Sequence, residues 1–180
     1  MNKISLRICP DEVLRTVCSE ISDIDSNIVK IVESMKEIMI KEKGIGLAGP
    51  QVGLTKRLFI TQDFSKNDTL DFLVMINPKI KEKFGEVSSK EGCLSIPGYY
   101  DYIPRFDNIS VEYVDLNGDL NSKVFESMQS IVFQHELDHL NGNLMIDDLS
   151  TIEKLYPAEP TEKNAKLYGE LFSQYQKFEN

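Results

Sequence analysis

Tryptophan is absent from the sequence, histidine occurs only twice, and cysteine occurs only three times in 180 residues. Three cysteines without a regular spacing do not make the paired framework of a small secreted protein, so we expect a reducing, cytoplasmic environment. The sequence near Met1 lacks the apolar stretch of a secretory signal, and no apolar run approaches the about 18 residues of a membrane span. These absences predict a cytoplasmic protein without a membrane partner.

Positive charge is also in deficit. The formal net charge is −9 and the isoelectric point is about 4.8, which argues against a basic surface for nucleic acid or anionic membranes. We therefore expect no sequence-specific nucleic-acid partner. Apolar residues make up 41% and charged residues 27%, as in ordinary globular proteins. The length predicts one domain over residues 1–180.

Apolar residues recur at helical spacing from Ile28 to Met39, and this pattern predicts an N-terminal helix. Ser26 or Asp25 is the expected N-cap, and Gly44 is the expected left-handed residue past the helix end. A region rich in short strands follows. We expect strands at 57–61, 72–76, 80–87, 109–114 and 120–125.

Turn residues punctuate these strands. Asn77-Pro78 should end the second strand, because proline cannot donate to a ladder, and Asn117-Gly118 should form a tight hairpin. Helical spacing returns at 127–141 with Gly142 as its C-cap, and a last amphipathic helix is expected within 161–180. The order predicts an α+β fold in which antiparallel sheets pack around the helix at 127–141.

The stretch GIGLAGPQVG, residues 44–53, contains glycines spaced as in the dinucleotide-binding motif G-x-G-x-x-G. That motif requires a strand before the loop and a helix after it, so that the helix N-terminus faces a pyrophosphate. Here a helix precedes the loop and a strand follows it. The glycines therefore indicate that a group other than a phosphate approaches this loop closely, near Gln51.

QHELDH, residues 134–139, places His135 and His139 one helical turn apart, so both imidazoles can reach one cation. Glu136 lies beside the first histidine, where a carboxylate can take a proton from an activated water. A catalytic site of this kind needs a third protein ligand. Two alternatives are open: Cys93 in EGCLS, residues 91–95, or a downstream carboxylate, for which the candidates are Asp147, Asp148 and Glu153.

GIGLAGPQVG, EGCLS and QHELDH, in this order and at these separations, resemble the three signature motifs of the peptide deformylase family. The resemblance covers nearly the whole chain and implies a metal-dependent hydrolase that removes the formyl group from the N-terminal formyl-methionine of nascent polypeptides, releasing formate. It also implies one divalent ion, ferrous iron, whose site zinc or nickel can also occupy. The ligands it implies are Cys93, His135 and His139.

The same resemblance assigns the remaining roles. Glu136 is the implied general acid/base, while the Gln51 amide and the backbone N–H of Leu94 are implied to stabilise the oxyanion. In one departure, Gly49 stands where the family usually has alanine. Gly46 should let a peptide backbone approach. The other expected substrate-binding residues are Ile45, Gly92, Met128, Ile131 and Val132.

Two further expectations concern rivals and partners. The alternative of another class is a catalytically inactive relative that binds formylated peptides or partner proteins, but all six active-site positions are present. In the family, ribosome docking is associated with a basic C-terminal helix. Residues 161–180 carry three lysines and three glutamates, so ribosome association should be weak at most.

Overall fold

The computed structural model describes residues 4–65 and 71–147. Within these ranges two α-helices flank five strands, and two short 3-10 helices lie at Glu12–Arg15 and Gly49–Val52. The bounds are α1 Ser26–Lys41, β1 Gly46–Ala48, β2 Leu58–Gln62, β3 Phe72–Cys93, β4 Ile96–Val114, β5 Leu120–Glu126 and α2 Ser127–Leu140. The strands form one antiparallel sheet in the order β1-β2-β3-β4-β5, so the α+β class is confirmed with one sheet instead of several.

The N-terminal helix α1 begins as predicted but ends differently. The Asp25 carboxylate accepts hydrogen bonds from the N–H groups of Asn27 and Ile28, as an N-cap does. The left-handed residue past the helix end is Lys43, with φ 57°, and the prediction of Gly44 for this place is wrong. Gly44 is needed for space: a Cβ there would lie 2.7 Å from Cδ1 of Leu94.

Strand β3 does not stop at Asn77-Pro78, so that prediction is also wrong. The ladder between β3 and β4 shifts register between Ile76 and Lys79, and this bulge accommodates the proline without a break in the strand. Asn77, with φ 50°, exchanges side-chain hydrogen bonds with the backbone of Ile21 at 2.9 and 2.8 Å. The strand therefore continues to Cys93.

The predicted hairpin at Asn117-Gly118 is confirmed, with Gly118 at φ 89° between β4 and β5. The end of α2 is confirmed as well, since Gly142 has φ 76° and follows the C-cap Asn141. The expected helix within 161–180 lies outside the described residues. None of the helices in the described ranges is long and apolar enough to cross a membrane.

Helix α2 is fixed on the sheet by both apolar and polar contacts. Phe133 packs edge-to-face on Phe59 of β2, with ring centroids 5.1 Å apart. On β4, the backbone N–H of Phe106 donates to Gln134 and its carbonyl accepts from Ser130. These contacts set the rotation of α2 and direct His135, Glu136 and His139 toward β1 and the end of β3.

Candidate active site

Cys93, His135 and His139 form a cluster of potential metal ligands. Cys93 is the last residue of β3, and the two histidines lie on successive turns of α2. The ligating atoms of the three residues all lie within 4.8 Å of one another, and Cys93 Sγ is 3.3 Å from His139 Nε2. The two histidines that the sequence places one helical turn apart therefore meet Cys93 in the folded chain.

The residues fit a divalent ion. One sulfur and two imidazole nitrogens are ligands that suit zinc, iron and nickel, and three protein ligands leave a coordination position open. Burial and the neighbouring His135 hold the pKa of His139 well below its usual range, so its ring is neutral, as a ligand must be. Burial lowers the pKa of His135, but Cys93 and Glu91 outweigh that effect and raise it, so an ion bound at its Nε2 would displace a proton.

Glu91 and Arg105 hold His135 from behind. The Nδ1 atom of His135 lies 2.9 Å from Glu91 Oε2, which leaves Nε2 for an ion. Arg105 donates to both oxygens of Glu91 at 2.8 and 2.9 Å and to Asp138 at 2.6 Å. Burial raises the pKa of Glu91, but the hydrogen bonds from Arg105 and His135 outweigh it and lower the pKa. Glu91 therefore stays ionised.

The Glu136 carboxylate is buried beside the cluster. The residue is 3% exposed, and its Oε2 has no hydrogen-bond partner within the described chain. Burial raises the pKa of Glu136 to about 7. A carboxyl group with a pKa near neutrality can both accept and donate a proton.

Gly46 and Gly92 make room for neighbouring side chains. A Cβ at Gly46 would overlap the Glu136 carboxylate and lie 2.9 Å from Cγ1 of Val132. A Cβ at Gly92 would lie 2.6 Å from the ring of Tyr100. Gly46 therefore serves the placement of the carboxylate itself, a reason that the sequence did not reveal.

The orientation of Gln51 is determined by three hydrogen bonds. Its Oε1 accepts from the N–H of Ala48 at 2.8 Å, and its Nε2 donates to Ser95 Oγ at 3.2 Å. The same Nε2 lies 3.5 Å from Cys93 Sγ. The amide N–H group thus faces the ligand cluster, and the fully buried Ser95 helps to hold it there.

A pocket of about 540 Å³ opens over this group. Val132 is buried in its floor, whereas Ile45 and Met128 are 42% and 48% exposed at its mouth. The pocket wall also includes Gln51, Cys93, Leu94, His135 and Glu136. All six residues expected to bind substrate line it: Ile45, Gly46, Gly92, Met128, Ile131 and Val132.

The alternative third ligands do not join the cluster. The Asp147 carboxylate accepts hydrogen bonds from Arg15 at 2.6 and 2.7 Å and from the N–H of Leu144. Asp148 and Glu153 lie outside the described residues. Glu91, Ser95, Arg105 and Asp138 are contributors that the sequence analysis missed. The signals were the positions of Glu91 and Ser95 inside EGCLS and of Asp138 inside QHELDH.

Comparison with known proteins is consistent with this geometry. The sequence model of the polypeptide deformylase family matches residues 4–155. The chain belongs to this family. Peptide deformylases are hydrolases that remove the N-formyl group from nascent polypeptides and depend on a metal, so the predictions of family, activity and α+β fold are confirmed.

Individual peptide deformylases are similar over most of their length. That of Buchnera aphidicola is 40% identical over 157 residues, which are 86% of this chain and 91% of the relative. The crystal structure from Thermotoga maritima has a TM-score of 0.76 at 36% identity and covers 84% of this chain and 100% of its own. The structure from Ehrlichia chaffeensis, in complex with actinonin, has a TM-score of 0.77 at 36% identity. The match covers 86% of this chain and 92% of the Ehrlichia chain.

Proposed function

We propose that this deformylase acts on the N-terminal formyl-methionine of new polypeptides and that Cys93, His135 and His139 hold its single divalent ion. The observation that carries this proposal is the convergence of three ligating atoms within 4.8 Å beside the buried Glu136 carboxylate. The physiological ion that we propose is ferrous iron, with zinc or nickel as substitutes, because the donor set suits all three. When bound, the ion supplies Lewis acidity and lowers the pKa of water.

Glu136 is the general acid and base of the proposed reaction. Its pKa of about 7 allows the carboxylate to accept a proton from the attacking water at neutral pH. The protonated form then donates that proton to the leaving amine. Formate and a free N-terminus result.

Gln51 and Leu94 stabilise the negative charge that develops on the formyl oxygen. The Gln51 amide is oriented before substrate arrives, because Ala48 and Ser95 bind its two ends. Preorganised donors of this kind stabilise a transition state without reorganisation during the reaction. The backbone N–H of Leu94, next to Cys93, is the second donor in this proposal.

The substrate occupies the pocket between β1 and α2. Ile45, Met128, Ile131 and Val132 form the apolar surface for the methionine side chain, with Gly92 in the same wall. Within the described chain β1 pairs only with β2, so its other edge is free at Gly46. An extended peptide can add to this edge by backbone hydrogen bonds.

The proposal extends to the setting of the enzyme. Residues 1–180 form one domain, supported by a family match that runs continuously over residues 4–155. The absence of a disulfide framework supports a cytoplasmic location. Ribosome association is weak at most, because residues 161–180 contain equal numbers of lysines and glutamates.

Formate release from a formyl-Met peptide tests the proposal, with wild type, Glu136→Gln and Cys93→Ala loaded with the same ion. Wild type should release formate. Glu136→Gln should retain the ion and lose on the order of 10²-fold or more in kcat, because an amide cannot transfer the proton. Cys93→Ala should lose the ion.

Other results would favour the rival functions. Full retention of the ion by Cys93→Ala would indicate a peptidase-like site with a carboxylate ligand. Peptide binding without any formate release by wild type would indicate the inactive relative.

A further inference from the structure

The rim of the pocket carries uncompensated positive charge although the protein as a whole is acidic. Apart from His135 and Glu136, four charged residues of the described chain line the pocket: Glu42, Lys43, Lys90 and Glu91. The two acidic members are neutralised. Glu42 lies 3.2 Å from the ammonium group of Lys41, and Glu91 is buried under Arg105.

Lys43 and Lys90 have no such partner. Both side chains are exposed, and neither forms an ion pair or hydrogen bond with another residue in the described ranges. They come from different walls, since Lys43 follows α1 and Lys90 lies on β3 three residues before Cys93. The pocket wall therefore includes two lysines without a partner among the described residues, in a chain whose net charge is −9.

The backbone at Lys43 adds a second observation. Lys43 has φ 57°, a left-handed conformation that glycine adopts freely and that a side chain disfavours. The position is the turn between α1 and the glycine-containing β1 region, where glycine would meet the backbone requirement at less cost. The turn therefore places a lysine, and not a glycine, in the pocket wall at some cost in backbone strain.

We propose that Lys43 and Lys90 select formylated peptides with acidic side chains in the residues directly after formyl-methionine. This inference rests on the proposed function, because it concerns the part of the same substrate that extends out of the pocket. Exposed charge pairs are weak, each corresponding to about two- to fivefold in affinity, and salt screens them. The lysines contact the peptide away from the formyl group, so their effect should appear in KM and not in kcat.

The test compares formyl-Met-Ala-Glu-Glu, formyl-Met-Ala-Gln-Gln and formyl-Met-Ala-Lys-Lys as substrates of the ion-loaded full chain. At about 20 mM salt, kcat/KM for the Glu peptide should exceed that for the Lys peptide by about tenfold, through KM. At about 300 mM salt the ratio should fall to about twofold. The Gln peptide should lie between the two.

The variants Lys43→Gln, Lys90→Gln and their combination should each reduce the Glu-to-Lys ratio, and the double variant should bring it close to one. Lys123→Gln is the matched control, because Lys123 is exposed on the edge strand β5 and is absent from the pocket wall. It should leave the ratio unchanged.

Equal kcat/KM values for the three peptides in wild type, with active enzyme, would overturn this inference and leave the proposed function standing. A preference that survives in the double variant, or that Lys123→Gln reduces equally, would also overturn it. Failure of wild type to release formate from the Gln peptide would overturn the proposed function and this inference with it.

Discussion

The Glu91 carboxylate lies 2.9 Å from Nδ1 of His135 and is itself held by two hydrogen bonds from Arg105. An ionised carboxylate at Nδ1 favours the tautomer that carries its proton on Nδ1 and its lone pair on Nε2. Glu91 therefore favours the form of His135 that a metal ligand would need, and Arg105 keeps Glu91 ionised in a buried position.

Glu91→Gln should weaken ion binding about 10- to 100-fold, because the amide no longer fixes the tautomer of His135 and leaves Arg105 partly unpaired. Asp138→Asn is the matched control. Asp138 is the other partner of Arg105, and its side chain is 39% exposed. This substitution leaves the contact between Glu91 and His135 unaltered. Competition with a chelator measures the dissociation constant, and circular dichroism checks the fold. Equal losses of affinity in both variants would contradict the role of Glu91.

The sequence predicted those parts of the site that depend on contacts between residues near one another in the chain. His135 and His139 are one helical turn apart, so their spacing alone predicted that both could bind one cation. Arg105 meets Glu91 across the β3–β4 ladder and meets Asp138 33 residues away. Those contacts depend on the register of a ladder that shifts at three points, which alternating sequence patterns do not reveal.

The fold shows the same division. Asp25 caps α1 by accepting hydrogen bonds from the N–H groups of Asn27 and Ile28, and this local signal was sufficient. The continuation of β3 through Pro78 required knowledge of a bulge that is stabilised by Asn77 and the distant Ile21. Likewise, the reason for Gly46 is the carboxylate of Glu136, which arrives from α2 only in the folded chain.

Ser95→Ala should lower kcat/KM severalfold through kcat, with ion content unchanged, because Gln51 loses the acceptor that holds its amide. Gln51→Ala should cost on the order of 10²-fold, as for loss of one oxyanion donor. The double variant should resemble Gln51→Ala alone, since Ser95 acts only through Gln51. Steady-state kinetics of the three variants measure the coupling. Losses that multiply in the double variant would show that Ser95 acts independently.

Gly49→Ala should destabilise this protein, although alanine is usual at this position in the family. A Cβ there would lie 2.7 Å from the carbonyl oxygen of Leu54 and 2.8 Å from that of Lys56, so the backbone after the 3-10 helix would have to move. Overpacking of this kind costs about 1 to 3 kcal/mol. Urea unfolding of the ion-loaded proteins measures the difference. An unchanged free energy of unfolding would show that the loop yields without cost.

The three cysteines should differ in reactivity. Burial raises the pKa of Cys9 to about 12, from a usual value of 9.0, and burial also raises that of Cys18. Both thiols are therefore protonated and unreactive in the folded state at pH 8, since the thiolate is the reactive form. Because the folded-state pKa of Cys9 is raised, the stability contributed by its neutral thiol is complete below pH 9 and is lost as pH rises from 9 toward 12.

Only Cys93 of the three lines the pocket. The ion-free protein at pH 8 should therefore react rapidly with one equivalent of a thiol reagent, the unfolded chain with three, and the ion-loaded protein with none, because the ion occupies the sulfur. Cys93→Ala should abolish the rapid equivalent whether or not ion is added. Spectrophotometric thiol titration measures each of these states. A rapid equivalent that persists at full strength in the ion-loaded wild type would remove Cys93 from the ligand set, whatever the activity of that preparation.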